Sequence, residues 1–414
     1  MAIRASVHQI GASLLEKLLN AGDNGYRGAT MDCGSGHQAR FVDYRGKGVT
    51  TVVGEVKIDR GYYYCDRCRS GSIPKDEELD ISGISFSPGV QRMIGRVGAK
   101  GSFEGGRCDI KELAGIEVKT KEVERISEGI GEQVQAWWKM ERQVVQQGKI
   151  ISMKAAVQKL YIEMDGVQVP VIPRETEGRK GRNGTERAKT REAKLGCVFT
   201  QTGVDEKGYP VRDDESTTYV GAIETAEEFG LRIYTEAVRR GLKYAQTVVV
   251  LGDGAPWIWV LADLHFYGAI QIVDLYHARQ HLVILANLVF GAASMKAKQW
   301  ASERRAQLDL GDVEAVVRSI KRLRPREASV KEEARRTVDY FHSNAERMRY
   351  ADFRKQGLFV GSGVIEAGCK TVMGQRLKQS GMHWSVKGAN AIIALRCCQM
   401  SGRWQEFWEV RAAC

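Results

Sequence analysis

Five short apolar runs constrain this chain more than any other feature: KLYIEMDGVQVPV (159–171), LGCVFTQT (195–202), TTYVGAI (217–223), TVVVLGD (247–253) and AIQIVDL (269–275). Their β-branched and aromatic content predicts strands. TAEEFGLRIYTEAVRRGL separates the third from the fourth, and a segment beginning APWIWVLADLHF separates the fourth from the fifth; both have a helical period. Strands followed by β-helix-β alternation predict a mixed sheet flanked by helices, so the expected fold class is α/β.

With 414 residues the chain is long enough for about three domains and a substantial core. Lys and Arg number 62 against 51 Asp and Glu, a formal net charge of +11 that favours a polyanionic partner. The longest apolar stretch, residues 282–293, is too short to span a bilayer and contains Asn287. The first twenty residues lack a secretory pattern and read as an amphipathic helix with Ile10, Leu14, Leu15 and Leu18 on one side. A cytoplasmic protein without a membrane partner is expected. Nine scattered cysteines, two of them adjacent at Cys397 and Cys398, argue against a disulfide framework.

In the first third, CGSGH supplies Cys33 and His37, and CDRC supplies Cys65 and Cys68. The β-rich TTVVGEVKIDRGYYYC between them predicts a strand pair that carries the second Cys pair to a turn. Two such knuckles on hairpin strands can close a tetrahedral zinc site. The same residues also suit an ordinary turn and a surface histidine, and both readings stand. Further on, DIKELAGIEVKTKEVERISEGI predicts two helices across a bend at Gly115, with Leu113 and Ile116 buried and Thr120 as the cap. That is the outline of a DNA-binding helix-turn-helix, and equally of any helical hairpin.

Three acidic residues stand out. Asp165 and Asp253 sit in or at the ends of apolar strand runs, where a carboxylate is costly unless solvated, paired or bound to metal. Each precedes a glycine, and Asp-Gly between alternating apolar residues is also a hairpin signal. Glu366 falls in the first turns of a helix after GSG, with Ser362 as the expected N-cap and Lys370 in reach of a surface ion pair. From Lys370 to Lys387 the chain carries four Lys or Arg, one His and no acid, a setting in which a carboxylate, metal and phosphate can meet.

YIEMDGVQVPV, REAKLGCVFTQT, VVLGDGAPWIW, DLYHARQHL and GSGVIEAGCKTVMGQRLKQSGMHW together resemble the DDE transposases of bacterial insertion sequences, the Kra-type group with its Mutator-like relatives. The resemblance covers most of the chain. It implies an RNase H-like catalytic core with a helical insertion, behind an N-terminal zinc-ribbon-like and helical DNA-binding region. It implies Asp165, Asp253 and Glu366 as a triad holding two Mg²⁺ (or Mn²⁺) ions, and His277 of the Asp274-x-x-His277 element as their neighbour. The first knuckle, with one cysteine and a histidine, departs from the usual ribbon. Expected segments are 1–100 (helix and ribbon), 101–150 (helix-turn-helix-like), 151–282 (first part of the core), 283–360 (insertion) and 361–414 (final helices).

The implied reaction is hydrolysis that frees a 3′-hydroxyl at each element end, then attack of that hydroxyl on target DNA. Double-stranded DNA and a second copy of the chain are the expected partners. Arg179, Lys180 and Arg182 of a basic loop, Lys321 and Arg322 of the cluster KRLRPR, and Lys370, Arg376 and Lys378 are expected DNA contacts. Trp384 suits either stacking on an unpaired base or packing. Rival readings are a catalytically silent, sequence-specific DNA-binding protein, a nuclease of the same fold that cuts without joining, and a small-molecule hydrolase.

Overall fold

The computed structural model describes residues 2–149, 156–181, 184 and 186–413. The chain forms two compact units, Met1–Ile130 with Glu406–Cys414, and Gly131–Gln405.

In the first unit, α1 (Ala2–Asn20) precedes a four-stranded antiparallel sheet of β1 (Thr30–Asp32), β2 (Gln38–Thr51), β3 (Gly54–Cys65) and β4 (Ser70–Ser72), paired in chain order. Val49, Val56, Ile58 and Ile81 make one core, on which Ala12, Leu15 and Leu19 of α1 pack. The expected rotation of α1 is therefore corrected: Leu15 faces the sheet, but Ile10, Leu14 and Leu18 are exposed. α2 (Pro74–Glu78), α3 (Pro88–Lys100) and α4 (Phe103–Asp109) follow. A π-helical turn, Ile110–Ala114, then ends at Gly115 in the left-handed region, φ 69°. The bend lies where the sequence places it and Ile116 is buried, whereas Leu113 is exposed, because the wider turn swings it outward. α5 (Thr120–Gln146) starts one residue earlier than expected: Thr120 is its first residue, with its hydroxyl donating to Glu104 instead of capping, and Glu122 accepts the Lys119 N–H at 2.9 Å. α5 crosses from one unit into the other; the segment edge expected at residue 150 lies outside the described residues.

The second unit is built on a mixed sheet of β5 (Val157–Pro170), β6 (Thr190–Gln201), β9 (Thr218–Ala222), β10 (Ala245–Gly252) and β11 (Ile270–Val273), with β7 (Gly203–Val204) and β8 (Pro210–Val211) as a separate ribbon. The order is β11-β10-β5-β6-β9; β5, β10 and β11 are parallel, and β6 runs antiparallel to both neighbours. α6 (Ala226–Arg239) is closed by a capping box between Thr225 and Glu228. It covers one face with α7 (Pro256–His265): a side chain at Gly196 would strike Ile233 and Phe229, and one at Gly252 would strike Ile258. After α8 (Leu275–Phe290), α9 (Met295–Asp309), α10 (Val313–Lys321), α11 (Ala328–Ser343) and α12 (Tyr350–Lys355), the chain returns to the other face. There it forms α13 (Gly363–Gly368), a π-helical turn Cys369–Gly374, α14 (Gln375–Leu377) and α15 (Val386–Met400); α16 (Trp404–Ala413) ends the chain. Among the described residues no helix is long and apolar enough to cross a membrane.

Asp165 is not at a hairpin tip. β5 runs straight through Asp-Gly, with Asp165 opposite Leu195 and Gly166 opposite Lys194. Two of the expected DNA contacts are corrected as well. The Arg376 side chain is fully buried, with its guanidinium 4.9 Å over the Trp384 ring. Trp384 is itself buried, and its indole N–H donates to the Leu377 carbonyl at 3.1 Å, so both residues serve packing. Arg179, Lys180, Lys321, Arg322, Lys370 and Lys378 are exposed, and Arg182 lies outside the described residues.

Candidate functional site

Parallel pairing places two of the three acids side by side. Gly252, the last residue of β10, is in register with Met164 of β5, so Asp253, just past the end of β10, comes beside Asp165, which lies within β5. The third parallel strand adds Asp274, one residue beyond the Gly252–Val273 pair, and its N–H donates to the Gly252 carbonyl at 2.7 Å. Ligand crevices in α/β sheets form outside the carboxyl ends of such strands.

Each acid has a distinct setting. Asp253 is half-buried and accepts the Ala255 N–H at 2.9 Å, while the Tyr340 hydroxyl of α11 donates to its carbonyl at 2.9 Å. Gly254 has φ +100° and lies so close to Tyr340 that a Cβ would come within 2.6 Å of the ring, so only glycine fits there. Asp165 accepts the Cys369 thiol at 3.3 Å. Burial raises the Asp165 carboxyl above its ordinary value and the nearby Asp253 charge pushes the same way, against the Cys369 and Gly166 hydrogen bonds and the charge of His277. Two like charges in a half-buried cleft are the setting that a bound cation relieves. Asp274, almost fully buried, accepts the His277 N–H as the cap of α8. The His277 and His281 rings lie 5.0 Å apart, and His281 packs against Tyr340 at 4.3 Å.

Glu366 arrives from the other end of the chain, and β5 itself delivers it. Alternate residues of a strand share one face, and on β5 four successive residues of one face grip the returning segment. The Lys159 ammonium donates to the Gly357 carbonyl at 3.0 Å, and the Tyr161 hydroxyl accepts the Phe359 N–H at 3.3 Å. The Glu163 carboxyl accepts the Ile365 N–H at 2.8 Å, and Asp165 holds Cys369. Asp274 adds a clamp from the side, accepting both the N–H and the hydroxyl of Ser362, the latter at 2.8 Å. Ser362 thus anchors the start of α13 without capping it, contrary to its expected role. Arg396 of α15 donates to the carbonyls of Thr371 and Val372 in the π-helical turn, satisfying acceptors that the irregular winding leaves open.

Glu163 is missed by inspection for isolated acids, yet the alternation Lys-x-Tyr-x-Glu-x-Asp in KLYIEMD is its signal. Its side chain is fully buried, and burial pushes the carboxyl up to about 8, so it is neutral at pH 7. Glu163→Gln, a match for the neutral acid, is expected to keep stability and the position of α13. Glu163→Leu orphans the buried Ile365 N–H and is expected to cost about 1–3 kcal/mol. Denaturant unfolding of the two variants checks this ordering.

A second cluster lies in the first unit. The β2–β3 hairpin ends at Cys65, and Cys68 follows in a turn whose N–H points at the Cys65 sulfur at 3.5 Å. Cys33 follows β1 in a turn closed by its N–H to the His37 carbonyl at 2.9 Å. The four ligand atoms all lie within 4.8 Å of one another, with Cys33 Sγ to Cys68 Sγ 3.7 Å and His37 Nδ1 to Cys68 Sγ 3.2 Å. Sulfurs 2.3 Å from a tetrahedral zinc are about 3.8 Å apart, so this donor set fits that ion. The Ser35 N–H lowers the Cys33 thiol, while the hydrogen bond shared with Cys33 raises that of Cys68. Among the described residues this is the one group of three or more such side chains close enough to share an ion. Asp165 and Asp253 lie side by side and Glu366 stands exposed on α13, which is bonded to β5, but the three are not within that spacing.

No curated protein matches this chain. Among solved structures, the Drosophila P element transposase strand transfer complex is similar over 63% of this chain and 69% of that one, at 9% identity and a TM-score of 0.21, too slight a likeness to carry an argument. The uncharacterised protein family UPF0236 matches residues 2–411.

Proposed function

This chain belongs to the UPF0236 family, and we propose that its activity is that of a DDE transposase, the metal-dependent cleavage of DNA strands and transfer of their 3′-hydroxyl ends. One observation carries the reading: Asp165 within β5 and Asp253 at the end of the parallel β10 lie side by side, while α13, which bears Glu366, is bonded along the face of β5 that displays Asp165. The strand order, with β6 alone antiparallel, supports an RNase H-like core, and α8–α12 correspond to the helical insertion.

In this reading Asp165, Asp253 and Glu366 are the ligands of two Mg²⁺ or Mn²⁺ ions, whose hard character suits carboxylate oxygen. When bound, such a pair activates an attacking oxygen and stabilises a leaving one. The chain's own residues do the rest. Tyr340 fixes the backbone of Asp253, Glu163 and Asp274 hold the start of α13, and His277 is near enough for its charge to act on Asp165. Exposed Arg179, Lys180, Lys321, Arg322, Lys370 and Lys378 supply phosphate contacts. Cys33, His37, Cys65 and Cys68 hold a structural zinc.

The deciding experiment incubates purified protein with DNA that flanks its own gene, with and without Mg²⁺. Nicked ends and 3′-joined products are expected only with the metal. Nicks without joining would identify a nuclease, and binding without nicks a catalytically silent DNA-binding protein.

A further inference from the structure

We propose that the outer face of α1 is a self-association surface, on which a second copy of this chain lays its own α1. The inference is independent of strand cleavage, since neither DNA nor a metal at the carboxylates enters it.

The rotation of α1 is fixed from inside. Ala12, Leu15 and Leu19 pack on the sheet. The Glu16 carboxylate accepts the Lys57 N–H at 2.8 Å, and the Asn20 amide donates to the Lys57 carbonyl at 2.8 Å while accepting the Asp59 N–H at 2.9 Å. With that face committed, Ile3, Val7, Ile10, Leu14 and Leu18 stay outside, 83%, 59%, 70%, 59% and 65% exposed. Steps of four, three, four and four residues put all five on one narrow stripe. Such a stripe is the seam of a two-helix pair, distinct from the broad face a helix turns to its own core.

The stripe matches itself when reversed. Against an antiparallel copy, Ile3 meets Leu18, Val7 meets Leu14, and Ile10 meets Ile10 near the centre, so one two-fold axis pairs every apolar side chain with another. Ser6, Gln9 and Ser13 flank the middle of the seam without charge, and the cations Arg4 and Lys17 stand at its two ends, where Arg4 also donates to the Leu113 carbonyl. The five side chains expose roughly 600 Å² per copy, the top of the range for the largest patch on a lone surface, and a symmetric pair buries at most roughly 1,200 Å², the size at which specific interfaces begin. A membrane surface would ask for a strongly basic face beside the apolar one; Ser and Gln there favour a protein partner, and the self-matching spacing favours this chain.

Sedimentation equilibrium of the purified full chain at micromolar concentration tests the proposal. A dimer is expected, with Ile10→Glu/Leu14→Glu weakening it about a hundredfold and Ile10→Leu leaving it intact. All these residues point away from the sheet, so at concentrations where both proteins are monomeric the melting curves should coincide; if the double variant still melts early there, Val7→Glu is the replacement probe. A wild-type monomer overturns the proposal, whether it stays in solution or sediments with anionic phospholipid vesicles. So does a dimer that the glutamate variants leave unchanged.

Discussion

With Asp165 replaced by alanine, the chain is expected to bind DNA as tightly as before and to lose metal-dependent strand cleavage by at least about a thousandfold, about 4 kcal/mol of barrier. The fold has little to lose. Among the described residues the Asp165 carboxylate bonds the Cys369 thiol and the adjacent Gly166 N–H, while the apolar residues that hold β5, Leu160, Ile162 and Met164, are untouched. Truncation also removes the charge that opposes Asp253. On the proposed reading DNA affinity rests on exposed cations elsewhere, so its steep fall with salt should be the same in both proteins. Single-turnover cleavage beside filter binding separates the two quantities. Normal cleavage by the variant in Mg²⁺ would refute the assignment of the site.

The second large effect is expected from the cysteine cluster. Structural zinc contributes about 10–16 kcal/mol of apparent binding free energy at pH 7 in small domains. That compares with a total stability of about 5–15 kcal/mol for a typical protein. Cys65→Ser, or prolonged chelation, should therefore unfold the turns that carry Cys33 and Cys68 and expose the small core of Ala39, Tyr63 and Cys65. Elemental analysis should find one zinc per chain, and the melting transition of the first unit should fall when it is removed. A chain free of zinc that melts identically with and without chelator would sink the reading.

What was legible in the sequence follows from the range of the forces involved. The five strands of the second unit, and the helices between the last three, are visible because apolar content and period are local. The hairpin alternative at Asp165-Gly166 is also local, and long-range pairing overrules it: β6 matches β5 residue for residue from Lys159 to Pro170, through the dipeptide. The rotation of α1 was hidden because both its sides are apolar, and a 3.6-residue period cannot tell which one meets the sheet. Arg376 and Trp384 sit in a cationic string that reads as surface. Only the tertiary contact of Trp384 with Leu377, and of the guanidinium with the indole ring, turns them inward. Glu163 is hidden in its apolar run because methionine follows it, whereas Asp165 and Asp253 are each marked by a following glycine.

The grip of β5 on residues 357–369 bears on how such a chain can change over time. The path leaves the sheet at Asp274 and is stitched back where the Leu275 N–H meets the Val360 carbonyl at 2.9 Å, so α8 to α12 form a closed parenthesis. Lengthening a loop already pinned at both ends adds little closure entropy. Provided the start of α8 keeps Asp274 and His277 in place and α11 keeps Tyr340 against Asp253, α9, α10 and α12 are free to grow, shrink or be exchanged without moving Glu366, which makes this stretch the natural place for related chains to diverge.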